Sequence, residues 1–203
     1  MKRLFVAAWL PAAVRAEAAE VSERLRATGA DVRWVPPENL HVTLRFLGDV
    51  EDDRVDGLVG CLSRAFAACE PFGIRLSGLG RFPPRGAPRV VWVGMESGKR
   101  EIASLASITE KALLAEGFLD RIEERPFRAH VTLGRPRSSR GVGRLLDLLE
   151  ELPFDGRTHL FEEVRLVESR LSPRGAKYHA VARFPVREAG AAGSISTDEG
   201  ESS

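Results

Sequence analysis

Apolar residues recur along this chain with a period that changes repeatedly, and each change marks an element. RLFVAAWL, residues 3–10, is apolar without a break from Leu4 and stops at Pro11, the pattern of a strand covered on both faces. An Ala/Glu/Arg-rich helix is predicted over 12–28, closed by Gly29. RWVPPENLHVTLRFLG then reads as a short extended piece, a Pro-Pro turn and a strand over 40–47. EDDRVDGLVGCLSRAFAACE, residues 51–70, places acids in its first turn and apolar residues at helical spacing as far as Pro71, which predicts a second helix. Strands over 72–79 and 88–95 flank GRFPPRGAP, a loop whose proline, glycine and arginine predict exposure and function.

The second half repeats the theme. A helix over 99–117 leads to a strand around His130, a helix over 141–150, and strands over 164–172 and 177–186 joined by the turn PRGA. From Glu188 to Ser203 only Ile195 could serve a core, so this stretch is predicted to be a disordered tail and residues 1–187 a single folded domain. Several strands are joined too tightly for parallel crossovers, so the fold class is α+β with antiparallel sheets. The tetrapeptide His-Val-Thr-Leu of residues 41–44 returns at 130–133, 89 residues on, and a helix follows each copy. An internal duplication follows, with two lobes facing each other across a cleft.

What the repeated tetrapeptide offers is set by strand geometry. Side chains two apart share a face, so His41 and Thr43 project together while Val42, Leu44 and Phe46 face the other way. His130 and Thr132 repeat the arrangement, anchored by Val131 and Leu133. By the same parity Arg45 falls on the His41 face and Arg128 on the His130 face, which makes both candidates for phosphate contacts. Two imidazoles across a cleft form an acid–base pair, because each titrates near neutrality. One can take a proton from a nucleophile while the other gives one to a leaving group. The threonine hydroxyls suit non-bridging phosphate oxygens, so phosphoester chemistry is the natural use. The other two histidines, His159 and His179, lack a threonine partner two residues on and are expected to be structural.

Composition narrows this further. Thirty basic and twenty-nine acidic residues leave a formal net charge of +1, so anion binding is local rather than spread over the surface. Only four of the thirty cations are lysines, a skew that genome composition, heat adaptation or phosphate recognition would each produce. Cys61 and Cys69 are expected on one helix, roughly 12 Å apart, too far for a disulfide. No metal is expected, since the chain has no His-Glu-x-x-His or Cys-x-x-Cys spacing. It also lacks a Gly-x-Ser-x-Gly elbow, a Walker loop and a dinucleotide fingerprint. MKRLFVAAWLP is too short an apolar run for a membrane span and reads as the first strand of a cytoplasmic protein.

These segments resemble a known family, the 2H phosphoesterases, and within it the LigT-like RNA 2′,3′-cyclic phosphodiesterases historically called 2′-5′ RNA ligases. The likeness spans residues 2–187 and rests on RLFVAAWLP, VPPENLHVTLRFLGDV, RFPPRGAPRVVWVGM, RPFRAHVTLGRPR and LVESRLSPRGAKYHAVARFP. Ala129 stands where many relatives have proline. The resemblance implies a bilobal fold whose two antiparallel sheets line a central cleft with helices outside. It implies metal-independent opening of a terminal 2′,3′-cyclic phosphate to a 2′-phosphate, with no cofactor. His41 would then be the general acid, His130 the general base, and Thr43 and Thr132 the holders of phosphate oxygens. The expected partner is RNA or an oligonucleotide with a 2′,3′-cyclic phosphate end, with no membrane, acted on by a monomer. Phe82 is a candidate to stack on a base, although a buried loop anchor suits it better, and Tyr178 is a family-like position without an assigned role. The motif pair leaves two other readings open: a non-catalytic RNA-end or nucleotide-binding module, and a small-molecule cyclic nucleotide phosphodiesterase.

Overall fold

The first strand, β1 (Lys2–Trp9), is buried from Leu4 to Trp9, and the reason is its position inside a sheet with both faces covered. Leu4, Val6 and Ala8 join the main hydrophobic core, whereas Phe5, Ala7 and Trp9 form a second, smaller cluster with Val167. One strand therefore serves two environments by simple alternation. A computed structural model gives the whole arrangement and describes residues 1–172 and 175–186; the predicted tail over 188–203 lies outside these.

After β1 come α1 (Ala12–Arg26), β2 (Val32–Trp34), a 3-10 turn over Pro37–Asn39, and β3 (His41–Val50). A second 3-10 turn (Asp52–Arg54) leads into α2 (Val55–Phe66), followed by β4 (Phe72–Phe82), β5 (Val90–Ser97) and α3 (Lys99–Ala115). The chain finishes with β6 (Val131–Pro136), α4 (Val142–Glu151), β7 (His159–Phe161), β8 (Glu163–Ser172) and β9 (Gly175–Pro185). Two sheets result, one ordered β3-β1-β8-β9 and one β2-β6-β5-β4-β7. Every pairing is antiparallel. The α+β expectation and the two sheets are thus met. No helix among the described residues is long and apolar enough to cross a membrane.

Helices cover the outer faces. Helices α1 and α4 pack together and reach β4, while α2 and α3 pack together and reach β9 and β3 respectively. Val14, Ala18, Val21 and Leu25 of α1 and Leu58, Leu62 and Phe66 of α2 enter the same core as Leu4, Val6 and Ala8. A fully buried side chain of this kind contributes about 1.5–3 kcal/mol.

Three local expectations change. Helix α2 stops at Phe66, so Cys69 lies beyond it, and both cysteines are free. Strand β4 runs on to Phe82, so Gly80, Arg81 and Phe82 belong to a strand rather than to the loop. The short strand β7 pairs with β4 at its start, from Phe72 to Ile74, where the sequence shows no strand-length apolar run.

Candidate active site

His41 opens β3 directly after the 3-10 turn and lies across from Trp9 in the register with β1. Its Nδ1 donates to the Asn39 carbonyl oxygen at 2.6 Å. A carbonyl can only accept, so the proton of the neutral ring sits on Nδ1 and Nε2 is left to react. Nε2 lies 3.1 Å from the Thr43 hydroxyl, which donates to it when the ring is neutral. Trp9 stacks on the ring at 5.5 Å with an interplanar angle of 1°, Phe5 approaches at 5.1 Å, and Tyr178 stands edge-on at 5.5 Å. These apolar walls strip solvent from the imidazolium form. Burial therefore pushes His41 down to about 4, opposed by the Asn39 hydrogen bond and aided by the charge of His130.

His130 is held by the same device on the other sheet. Its Nδ1 donates to the Arg128 carbonyl oxygen at 2.7 Å, again leaving Nε2 as the reactive nitrogen. Phe82 meets the ring edge-on at 5.0 Å and Trp92 at 6.4 Å. Burial lowers its pKa, with a further push from the Arg135 guanidinium. Trp92 owes its place to a glycine: a Cβ on Gly80 would lie 2.3 Å from the indole. The Trp92 indole nitrogen is buried and has no hydrogen-bond partner among the described residues.

The two histidines stand at the starts of strands of different sheets that come together. Strands β3 and β6 approach each other. The charge of His130 is felt at His41, and that of Arg135 at both His130 and Tyr178, so residues from both sheets share a local field. Thr43 and Thr132 are half-buried beside their histidines, with Thr132 across from Trp92.

Strand parity fails one residue after each threonine. In β3, Thr43 pairs with Ala7 and Arg45 with Val6, so Leu44 is an inserted bulge residue. Paired residues share a face, so Arg45 lies with Val6, on the core-facing side of the sheet, not with His41. There its guanidinium contacts Glu110 of α3 at 2.6 Å and Glu123 at 3.6 Å. Phe46 falls on the other side, 67% exposed, 5.9 Å from Phe5, and not in the core with Val42 and Leu44. Strand β6 repeats the slip: Thr132 pairs with Trp92 and Gly134 with Val91, leaving Leu133 as the bulge. Arg135 is thereby turned toward the cleft, which explains its effect on His130 and Tyr178. It is the residue that sequence parity missed, and no composition or spacing signal marks it. Arg128 is exposed and serves His130 through its carbonyl.

Phe82 and Tyr178 are now placed as the edge-on walls of His130 and His41. His159 bonds Glu17 at 3.0 Å, tying β7 to α1, while His179 is exposed opposite Glu168. No group of three or more His, Cys, Asp or Glu side chains among the described residues could share a metal ion.

An α+β scaffold of two antiparallel sheets presents one back-bonded imidazole from each, and comparison with known proteins sets that scaffold among the phosphoesterases. The family described as LigT-like phosphoesterase matches residues 9–92. An RNA 2′,3′-cyclic phosphodiesterase of Methanothermobacter thermautotrophicus is 32% identical over 177 residues, 87% of this chain and 94% of that one. One of Thermus thermophilus is 33% identical over 190 residues, 91% and 90% of the two chains. A crystal structure of a protein from Thermus thermophilus superposes with a TM-score of 0.76 at 29% identity, covering 91% of this chain and 98% of that one. Escherichia coli LigT with 3′-AMP shares the fold at a TM-score of 0.71 and 24% identity, covering 91% and 98%. The chain belongs to the LigT-like phosphoesterase family.

Proposed function

We propose that this protein opens terminal 2′,3′-cyclic phosphates of RNA to 2′-phosphates by metal-independent acid–base catalysis. The observation that carries the reading is the matched pair of imidazoles, each with Nδ1 tied to the carbonyl two residues back and Nε2 left over. The names of the curated relatives support the substrate class.

In this mechanism His130 Nε2 takes a proton from a water as the water oxygen bonds to phosphorus. The bond from phosphorus to the 3′ oxygen breaks, and His41 Nε2–H donates to that oxygen. The product carries a 2′-phosphate and a free 3′-hydroxyl, and the proton gained by His130 replaces the one His41 gave, by exchange with solvent. Thr43 and Thr132 hydroxyls hold the non-bridging oxygens, and Arg135 adds positive charge as negative charge gathers on them. With a 5′-hydroxyl in place of water, the same forward step joins two RNA ends through a 2′-5′ link without an external energy source: His130 takes the hydroxyl proton, the 5′ oxygen bonds to phosphorus, and the bond to the 3′ oxygen breaks as His41 protonates it. Arg45 acts at a remove, as a strut fixing β3 to α3.

The test is product analysis with an oligonucleotide ending in a 2′,3′-cyclic phosphate. The expected product is the 2′-phosphate. His41→Ala and His130→Ala should each lose about 10²–10⁴-fold in rate, and a chelator should leave the rate unchanged. A 3′-phosphate product, near-full activity in either variant, or strict dependence on added divalent metal would overturn the reading.

A further inference from the structure

A second pocket adjoins the cleft behind Trp9. In the sheet order β3-β1-β8, Trp9 sits on the central strand with His41 on one flank and Arg165 on the other. The Arg165 guanidinium lies over the indole at 4.4 Å. Imidazole, indole and guanidinium thus form one continuous stack, and Arg165 is no farther from His41 than the stacking distances of 5.5 and 4.4 Å laid end to end. That distance is within the reach of one nucleotide.

Beyond the stack opens a pocket of about 460 Å³, lined by Trp9, Arg15, Arg165 and Glu163 with an apolar floor that includes Pro11 and Pro185. The volume suits a nucleotide-sized ligand. Arg165 gives its Nε to Glu163, and its two terminal nitrogens make no protein hydrogen bond among the described residues. Arg183 stands across from Arg165 on β9 and reaches Glu163 at 3.8 Å. Two guanidiniums therefore share the Glu163 carboxylate, while Arg15 lines the same pocket with its Nη1 donating to the Leu10 carbonyl oxygen; Glu162 is the other acid at the rim and is exposed. Burial and the neighbouring charges of Arg183 and Arg15 weigh against the Arg165 charge, a cost that a bound anion would offset. Planar guanidinium forks of this kind match phosphate oxygens.

We propose that this pocket holds the internucleotide phosphate and sugar next to the cyclic end, so that the cleft selects RNA chain ends over cyclic mononucleotides. The inference rests on the reading above for the position of the cyclic phosphate between His41 and His130.

The experiment compares kcat/KM for a nucleoside 2′,3′-cyclic phosphate with that for a trinucleotide ending in the same group. The parent protein should favour the trinucleotide by at least about tenfold, the worth of a charge-assisted hydrogen bond. Arg165→Gln should bring the ratio close to one, and Arg15→Gln should move it the same way. A parent ratio near one overturns the proposal. So does an Arg165→Gln variant that loses equally on both substrates, because that pattern means Arg165 acts only through Trp9 on His41. If the parent turns over neither substrate, the proposed activity fails but the subsite is still decided by binding. For a 5′-labelled short RNA ending in a phosphate, the slope of log Kd against log salt should shrink by about 0.7 in Arg165→Gln. An unchanged slope would overturn the subsite.

Discussion

Placing a phosphate against Nε2 of His41 should move the titration of this ring by several pH units. Burial holds this imidazole at about 4 in the empty site, so at pH 7 about one molecule in a thousand carries the proton a general acid must give. A single negative charge about 4 Å away, at an effective dielectric constant of about 20, stabilises the imidazolium by about 4 kcal/mol. That is enough to carry the group from about 4 to about 7. The substrate would then arm the acid that cleaves it. Ring-proton NMR can follow this directly, because the chain has only four histidines. Titrated without ligand, His41 should change near pH 4; saturated with a nucleoside 2′-monophosphate it should change near pH 7. In steady-state kinetics the basic limb of kcat should lie at higher pH than that of kcat/KM, since the first reports the complex and the second the free protein. A His41 that titrates at the same pH with and without the nucleotide would refute the electrostatic argument.

Three further outcomes follow from the structure. His41 and His130 both have lowered pKa values in the fold, so below pH 6.5 the unfolded chain takes up protons that the folded one does not. Stability should be full above about pH 6.5 and fall toward pH 4, with His41 alone costing up to about 2 kcal/mol at pH 5 by urea unfolding; a flat profile between pH 7 and 5 would contradict its burial. Arg45→Ala strands the Glu110 carboxylate, which is only 17% exposed, and should destabilise by about 1–3 kcal/mol. A double-mutant cycle with Glu110→Ala that finds no coupling would show the pair to be incidental. Gly80→Ala forces its new methyl to within 2.3–2.8 Å of the Trp92 ring and should cost about 1–3 kcal/mol with a changed tryptophan near-ultraviolet spectrum. Unaltered unfolding and an unaltered spectrum would mean that the indole has room to move.

The elements and the central pair were legible because they depend on short-range pattern. LFVAAW, residues 4–9, is apolar throughout since β1 is covered on both faces, and His41 with Thr43 share a side because the strand is regular there. What the sequence conceals is pairing. Nothing in VTLRF or VTLGR marks Leu44 or Leu133 as the inserted residue, because a bulge is defined only against the partner strand. Alternation carried past those points assigns Arg45 and Phe46 to each other's sides and passes over Arg135. Helix α2 ends short of Cys69 and β7 is a three-residue strand, both decided by contacts distant in sequence. Arg165 was illegible for the same reason, since its indole neighbour lies on a strand 156 positions earlier.

The twin slips at Leu44 and Leu133 let each ribbon set two neighbours in a row on its inner side, Leu44 with Arg45 and Leu133 with Gly134. Taking out either leucine would leave Arg45 across from Val6, Phe46 across from Phe5 and Gly134 across from Val91, so ordinary alternation would keep every later side chain where it is. What each surplus leucine adds is interior bulk, since both are buried in the main core. Each ribbon thus anchors itself with one more apolar side chain than a regular strand of its span could hold.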